Sequence, residues 1–304
     1  TFLSQLARDR RVDNQRIAAG FTLIVTGLVR KLLIAETLSS VIPEQLFAAP
    51  GQFARSDLLA GLLLFAFAIY NDFAGYTSIV RGTSQFFGID LAPNFSQPYF
   101  SRSFTEFWNR WHISLSHWLR DYIFFPLTRL LRRRFGEGFV LLTISVPLLV
   151  TMLASGFWHK LGVYMLFWGL LHGLYQVIER LVELRWPDRA RPEQAPVWQQ
   201  VISALLVFVL VLLAWVPFAA PGFQQSLQFY AALVGSTAAP SLTRAKLFWP
   251  LIYILLSLGL DAVQYRSRNE NVFLRWPRLS QAALLALAVL FLVFTLLWRE
   301  NVVT

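Results

Sequence analysis

Seven apolar runs of near-uniform length limit what this chain can fold into. They fall at residues 17–41, 58–80, 138–157, 162–181, 199–218, 247–264 and 281–298. A helix needs roughly 20 apolar residues to cross the hydrocarbon core of a bilayer. Inside that core, unpaired backbone N–H and C=O groups are too costly, so only helices and closed barrels span it. The runs are continuous rather than alternating, which argues against a barrel. Composition agrees, since hydrophobic residues make up 56% of 304 and charged residues 14%. Soluble globular chains carry roughly 25% charged residues. The expected fold class is all-α: a polytopic transmembrane helical bundle, one domain over residues 1–304. The chain opens Thr-Phe-Leu-Ser, with neither an initiator Met nor a signal-peptide pattern, and is expected to be the C-terminal part of a longer protein.

Between the second and third runs lies a segment, 81–137, that does not read as an ordinary loop. It holds Pro93, Pro98, Pro126 and eight Arg together with Phe86, Phe87, Trp108, Trp111 and Trp118. Such a segment lies at the interface or re-enters where protein covers its backbone. In the first run, Arg30 and Lys31 are expected to snorkel or to mark a helix break. The net charge of +10 does not point to nucleic acid, because Lys and Arg collect in cytoplasmic loops near anionic lipid. Residues 1–16, 81–137, 180–196 and 265–280 hold twenty of the 27 Lys and Arg, and the alternate loops hold five. This asymmetry places the His112 block on the cytoplasmic side and His159 toward the outer side. There is no Cys, so thiolate nucleophiles, Cys-ligated metals and disulfides are excluded.

All four histidines lie between Phe104 and Gly173. His159 follows Gly156-Phe-Trp at the end of a run, and His172 comes thirteen residues later. Along a continuous helix that spacing puts them roughly 20 Å apart on different faces, and no His-Glu-x-x-His pattern is present, so no metal site is expected. An imidazole suits a general base at neutral pH, and a helix-capping His stands as an equal reading. His117 reads as a solvated or interfacial His able to pair with Asp121. Asp72 closes an apolar run beside Asn71 and needs a partner there. A role in the site and a salt bridge to the Arg-rich segment that follows are equal readings. Nucleophile elbows, phosphate loops and dinucleotide fingerprints are missing.

The run Asp72-Phe-Ala-Gly-Tyr-Thr-Ser-Ile-Val-Arg-Gly82, then Asn94-Phe-Ser-Gln-Pro-Tyr, then Phe107-Trp-Asn-Arg-Trp-His112-Ile-Ser-Leu-Ser-His-Trp-Leu-Arg-Asp-Tyr122 resembles the membrane-bound O-acyltransferase family. Ser155-Gly-Phe-Trp-His159, Trp168-Gly-Leu-Leu-His172-Gly173 and Ala214-Trp-Val-Pro-Phe218 follow in that family's order. The likeness runs from about Phe2 to Gly235 and is strongest to the bacterial O-acetyltransferases of alginate, peptidoglycan and cellulose and to the teichoic acid D-alanyl transferase. Lys160 stands where the family usually has Gly, Asn71 where an aromatic is common, and Arg129–Arg134 in place of a Gly-Gly turn.

The resemblance implies a helical bundle around a tunnel in a bacterial cytoplasmic membrane. By position it makes His159 and His112 the catalytic pair, with His172 in a packing or gating role. Asp72, Trp108, Asn109, Arg110, Trp111, Trp158 and His172 would line the substrate path. It implies acetyl-CoA or an acyl-carrier thioester as donor from the cytoplasmic side, with no permanently bound cofactor. The acceptor would be an envelope polysaccharide, reached directly or through a periplasmic acyltransferase partner, with membrane lipids around the bundle. His159 would take the proton from the acceptor hydroxyl. His112 and His159, on opposite faces, would guard two entrances of one tunnel. A transporter of lipid or polysaccharide, or a scaffold for a periplasmic transferase, is the alternative from another class.

Overall fold

The computed structural model of the protein describes residues 5–7, 11–136, 138–186 and 195–303, and among these there are helices and no strands. The long helices are α1 (Asn14–Val41), α2 (Arg55–Gln85), α6 (Val140–His159), α7 (Val163–Arg185), α8 (Val197–Ala219), α10 (Arg244–Ser267) and α11 (Arg278–Val303). Short helices fill the connections: α3 (Phe104–Arg110), α4 (Ile113–Leu119), α5 (Phe125–Phe135) and α9 (Phe223–Gly235). Every expected apolar run is thus a helix. Five of the described helices, α1, α2, α6, α8 and most of α10, are long and apolar enough to cross a membrane. The 23-residue α7 is not among them, because Glu179, Arg180, Glu183 and Arg185 crowd its last turns. The basic loop expected at 180–196 is therefore helix as far as Arg185, and residues 187–194 lie outside the described residues.

The chain divides into two compact units, one formed by Thr1–Ile42, Leu64–Asn94 and Thr243–Thr304, the other by Pro43–Leu63 and Phe95–Leu242. In the first, α1 and the later part of α2 pack backbone to backbone. A Cβ on Gly27 would sit 2.7 Å from the Gly75 carbonyl oxygen, and one on Gly82 would sit 2.5 Å from that of Gly20. Helices in lipid gain little from hiding apolar surface from each other and associate through such close small-residue contacts.

The same unit buries a polar cluster. α1 widens into a π-type turn over Val29–Ala35, and Arg30 turns inward rather than snorkelling. Its Nη2 donates to Asp261 Oδ1 at 2.5 Å and its Nη1 to Asn71 Oδ1 at 3.1 Å. Tyr70 donates to the same Asp261 oxygen at 3.0 Å, and Asn71 Nδ2 donates to the Phe67 carbonyl at 2.8 Å. Ser257 donates to Asn71 Oδ1 at 3.1 Å. Lys31 faces outward and pairs with Asp72 at 2.5 Å. The adjacent basic residues thus differ because one lies on the inner wall of a widened turn.

In the second unit α6 and α7 form an antiparallel hairpin against which α8 packs. A Cβ on Gly156 would lie 2.2 Å from the Met165 carbonyl oxygen, and one on Gly169 would lie 2.4 Å from that of Met152. The two backbones touch, and no larger residue permits it. Pro217 inside α8 cannot donate to the Leu213 carbonyl; the Tyr230 hydroxyl of α9 donates to it at 2.9 Å instead. On the outer face of α8, Trp198, Val201, Ile202, Leu205, Leu206 and Val209 are exposed, a stripe that suits lipid rather than water.

Candidate functional site

The second unit holds all four histidines and draws three of them together, and the way it does so begins at α3. Ser103 caps that helix, accepting from the Glu106 N–H at 3.0 Å, while Glu106 reaches back to the Arg102 N–H at 2.6 Å. This is a variant of the Ser-x-x-Glu capping box in which the Glu reaches the N–H one residue before the cap. Glu179 of α7 closes over the same turn, accepting from the Phe104 N–H, from the Thr105 N–H at 3.0 Å and from Thr105 Oγ1 at 2.5 Å. Two carboxylates at one helix N-terminus also complement its dipole. At the other end Trp111 is extended and His112 adopts the left-handed conformation, with φ 44° and ψ 54°. That conformation costs a non-glycine residue roughly 1–2 kcal/mol. It redirects the chain into α4 and leaves the His112 ring buried.

His159 comes to the same place from the hairpin. It ends α6, and the touching glycines hold that end against the start of α7, so its ring meets Trp168 at 5.5 Å between centroids. The His112 and His159 rings are 6.3 Å apart, and Trp158 meets both, at 6.0 and 4.9 Å. Phe218 of α8 completes the wall around His159 at 5.4 Å. His172, one helical turn beyond Trp168, contacts that indole at 4.8 Å, Trp108 at 5.1 Å and Phe107 at 6.1 Å. Trp215 packs on Trp111 at 4.9 Å. Aromatic pairs in these geometries each add about 0.5–1.5 kcal/mol beyond their buried area, so the chamber is stiff.

Its polar atoms are handled differently from its rings. Among the described residues, the indole N–H groups of Trp108, Trp168 and Trp215, the Ser155 hydroxyl and both ring nitrogens of His172 are buried without a hydrogen-bond partner. Such a group costs roughly 1–3 kcal/mol when left unmade, and native interiors rarely collect them in one place. For His112, which lies between α3 and α4 outside the spans, burial pushes the imidazole down to about 4. It is neutral at physiological pH and able to accept or donate through either nitrogen according to tautomer.

Beside the chamber opens a cavity of about 720 Å³, lined among others by Trp108, Asn109, Arg120, Arg129, Arg132 and Arg180. Its size falls within the range of small-molecule sites; in its lining Arg120 and Arg180 pair with Asp121 and Glu183, and Arg129 and Arg132 add the planar forks that grip phosphate and carboxylate. Among the described residues no three His, Cys, Asp or Glu side chains group as metal ligands.

The expected site residues divide three ways. His112, His159, Trp111, Trp158 and Trp108 are together, with His172 reached through Trp168. The opposite-face placement of His112 and His159 does not hold: loop charge locates a segment's ends, and the left-handed turn at His112 brings its ring to 6.3 Å from that of His159. The 20 Å separation of His159 from His172 is also wrong, because Lys160–Gly162 breaks the helix and folds the two onto one indole. Asn109 and His117 line the cavity rather than the chamber. Arg110 is taken up by Glu106 at 2.6 Å, both half-buried. Asp121 is bridged to Arg120 at 3.2 Å. Asp72 belongs to the other unit, where its ion pair is with Lys31 and not with the Arg-rich segment. Sequence reasoning missed Glu179; it named Ser155 without a role, and Arg120, the Arg129–Arg134 stretch and the basic loop from residue 180 without seeing a cavity lining in them. It quoted Trp168, Trp215 and Phe218 within motifs without giving them a role. The Ser103-x-x-Glu106 box was a readable signal for where α3 starts.

A family model described as MBOAT, membrane-bound O-acyltransferase family, matches residues 5–219. A probable alginate O-acetylase AlgI of Pseudomonas aeruginosa is 34% identical over 242 residues, 79% of this chain and 43% of that protein. A peptidoglycan O-acetyltransferase of Helicobacter pylori is 30% identical over 226 residues, 74% of this chain and 40% of that protein. A teichoic acid D-alanyltransferase of Streptococcus thermophilus is 30% identical over 217 residues, 68% of this chain and 52% of that protein. The chain spans about half or less of the length of each of these relatives.

Proposed function

The chain belongs to the membrane-bound O-acyltransferase family, and from that premise we propose that it moves an acyl group, acetyl by preference, from a thioester to a hydroxyl of an envelope glycan. The observation that carries this reading is the meeting of His112 and His159, rings 6.3 Å apart, in an aromatic chamber next to an arginine-rimmed cavity. The donor, acetyl-CoA or an acyl-carrier thioester, brings phosphate, and the cavity's arginines suit it. The relatives' names supply the acceptor class: alginate, peptidoglycan and teichoic acid. The acyl group is delivered to the glycan itself or to a periplasmic acyltransferase partner, and the protein works in the cytoplasmic membrane with its donor side facing the cytoplasm.

In this mechanism His159 accepts the proton of the acceptor hydroxyl as its oxygen attacks the thioester carbonyl. The tetrahedral oxyanion draws on nearby N–H donors, for which the indole of Trp158, 4.9 Å from His159 between ring centroids, and His112, at 6.3 Å, are at hand. Collapse breaks the C–S bond, and the thiolate takes the proton back from His159. The ring wall keeps water from competing as nucleophile.

The test uses the full-length protein in proteoliposomes with acetyl-CoA and an envelope glycan acceptor. Free thiol should appear in step with O-acetyl groups on the glycan, followed by mass spectrometry. Movement of glycan or lipid with no thiol released would replace this reading with a transporter.

A further inference from the structure

We infer that His172, with the indole N–H groups of Trp108 and Trp168, binds the amide-bearing arm of the thioester donor; the inference rests on the acyl-transfer reading above. His172 is fully buried on α7, enclosed by Phe107, Trp108, Trp168 and Tyr175. Neither of its nitrogens and neither indole N–H has a protein partner among the described residues. A phenylalanine would fill the same space without an unmade hydrogen bond. Packing alone therefore does not explain an imidazole here.

Position selects the ligand. Trp108 lines the arginine-rimmed cavity, and so does Gln176, whose amide donates to the His172 carbonyl at 3.4 Å. On the other side of His172, Trp168 meets His159 at 5.5 Å. A donor with phosphate among the arginines and its thioester at His159 threads its arm past these three rings. In both the free coenzyme and the carrier-bound form, that arm contains secondary amides. Each amide presents one N–H donor and one carbonyl acceptor, while a neutral imidazole presents one of each and an indole one donor. The chamber's unpartnered groups thus match an amide in kind, and an apolar chain in the same place would leave all of them unmade.

The experiment compares thiol release from two small acetyl thioesters by the full-length protein in proteoliposomes with the glycan acceptor. S-acetyl-N-acetylcysteamine keeps one amide; S-pentyl thioacetate replaces it with methylenes. Wild type should prefer the amide probe by about tenfold in kcat/KM, the scale of one or two net hydrogen bonds. His172→Phe should bring the ratio near one with an unchanged or higher Tm, and His172→Gln should restore part of the preference. A preference retained in His172→Phe overturns the inference while leaving acyl transfer standing. Absence of thiol release by wild type from acetyl-CoA and both probes overturns the acyl-transfer reading itself. Should His172→Phe fail to fold, His172→Leu against His172→Gln gives the same contrast, and equal ratios in the two overturn the inference.

Discussion

Each of the two units buries a cluster of polar side chains, and the clusters are built on opposite principles. In the first unit Arg30, Asp261, Tyr70, Asn71 and Ser257 are joined by hydrogen bonds of 2.5–3.1 Å. In the second, three indole N–H groups, a serine hydroxyl and an imidazole are buried without partners among the described residues. Satisfied networks rigidify a core, whereas unmade hydrogen bonds raise its energy. The satisfied cluster is what a bundle needs to stay folded around charge. The unsatisfied one is tolerable where a substrate arrives to complete it. On the acyl-transfer reading proposed above, the first cluster serves stability and the second serves chemistry.

Breaking that assignment is simplest at Asp261. Asp261→Asn leaves Arg30 buried without its counter-charge, a loss of about 3–5 kcal/mol for a buried pair. Thermal unfolding in detergent should show a sharply lowered Tm, and the double variant Arg30→Met/Asp261→Leu should recover much of it. A wild-type melting curve for Asp261→Asn would mean the cluster is not a staple. In the chamber the order should reverse. His112→Ala is expected to reduce transfer about a hundredfold or more, the scale of a positioned acid–base or oxyanion group, with a Tm close to wild type; unchanged donor KM and kcat would reduce His112 to packing.

The smallest effect is in pH. Burial holds His112 at about 4, below its ordinary 6.5, so between those values the unfolded chain binds a proton that the folded chain refuses. Stability should therefore fall as pH drops from about 6.5 to about 4 and level off below, through this group. His112→Phe should flatten that part of the stability profile, and a slope that survives the substitution would assign it to other groups.

The helices were legible because apolar run length is set by the bilayer and survives in a single sequence. Motif residues drew attention to His112 and His159, whose meeting was not legible. Counting basic residues by alternate loops treats 81–137 as lying on one side, yet a left-handed residue at His112 turns part of it inward. Distance along a helix separated His159 from His172, while the touching glycines Gly156 and Gly169 fold them onto Trp168. Arg30 and Lys31 read alike as neighbours, and only the π-type turn at Val29–Ala35 sends one inward and the other out. Glu179 was invisible, since nothing local to α7 says that its carboxylate closes over the start of α3.

The most direct test is thiol release from acetyl-CoA by purified full-length His159→Ala, in the presence of the glycan acceptor and at matched folded protein. The account requires loss of transfer by about a hundredfold or more with Tm and membrane insertion unchanged. Turnover at the wild-type rate would contradict it, and the chamber would then have to be read as something other than an acyl-transfer site.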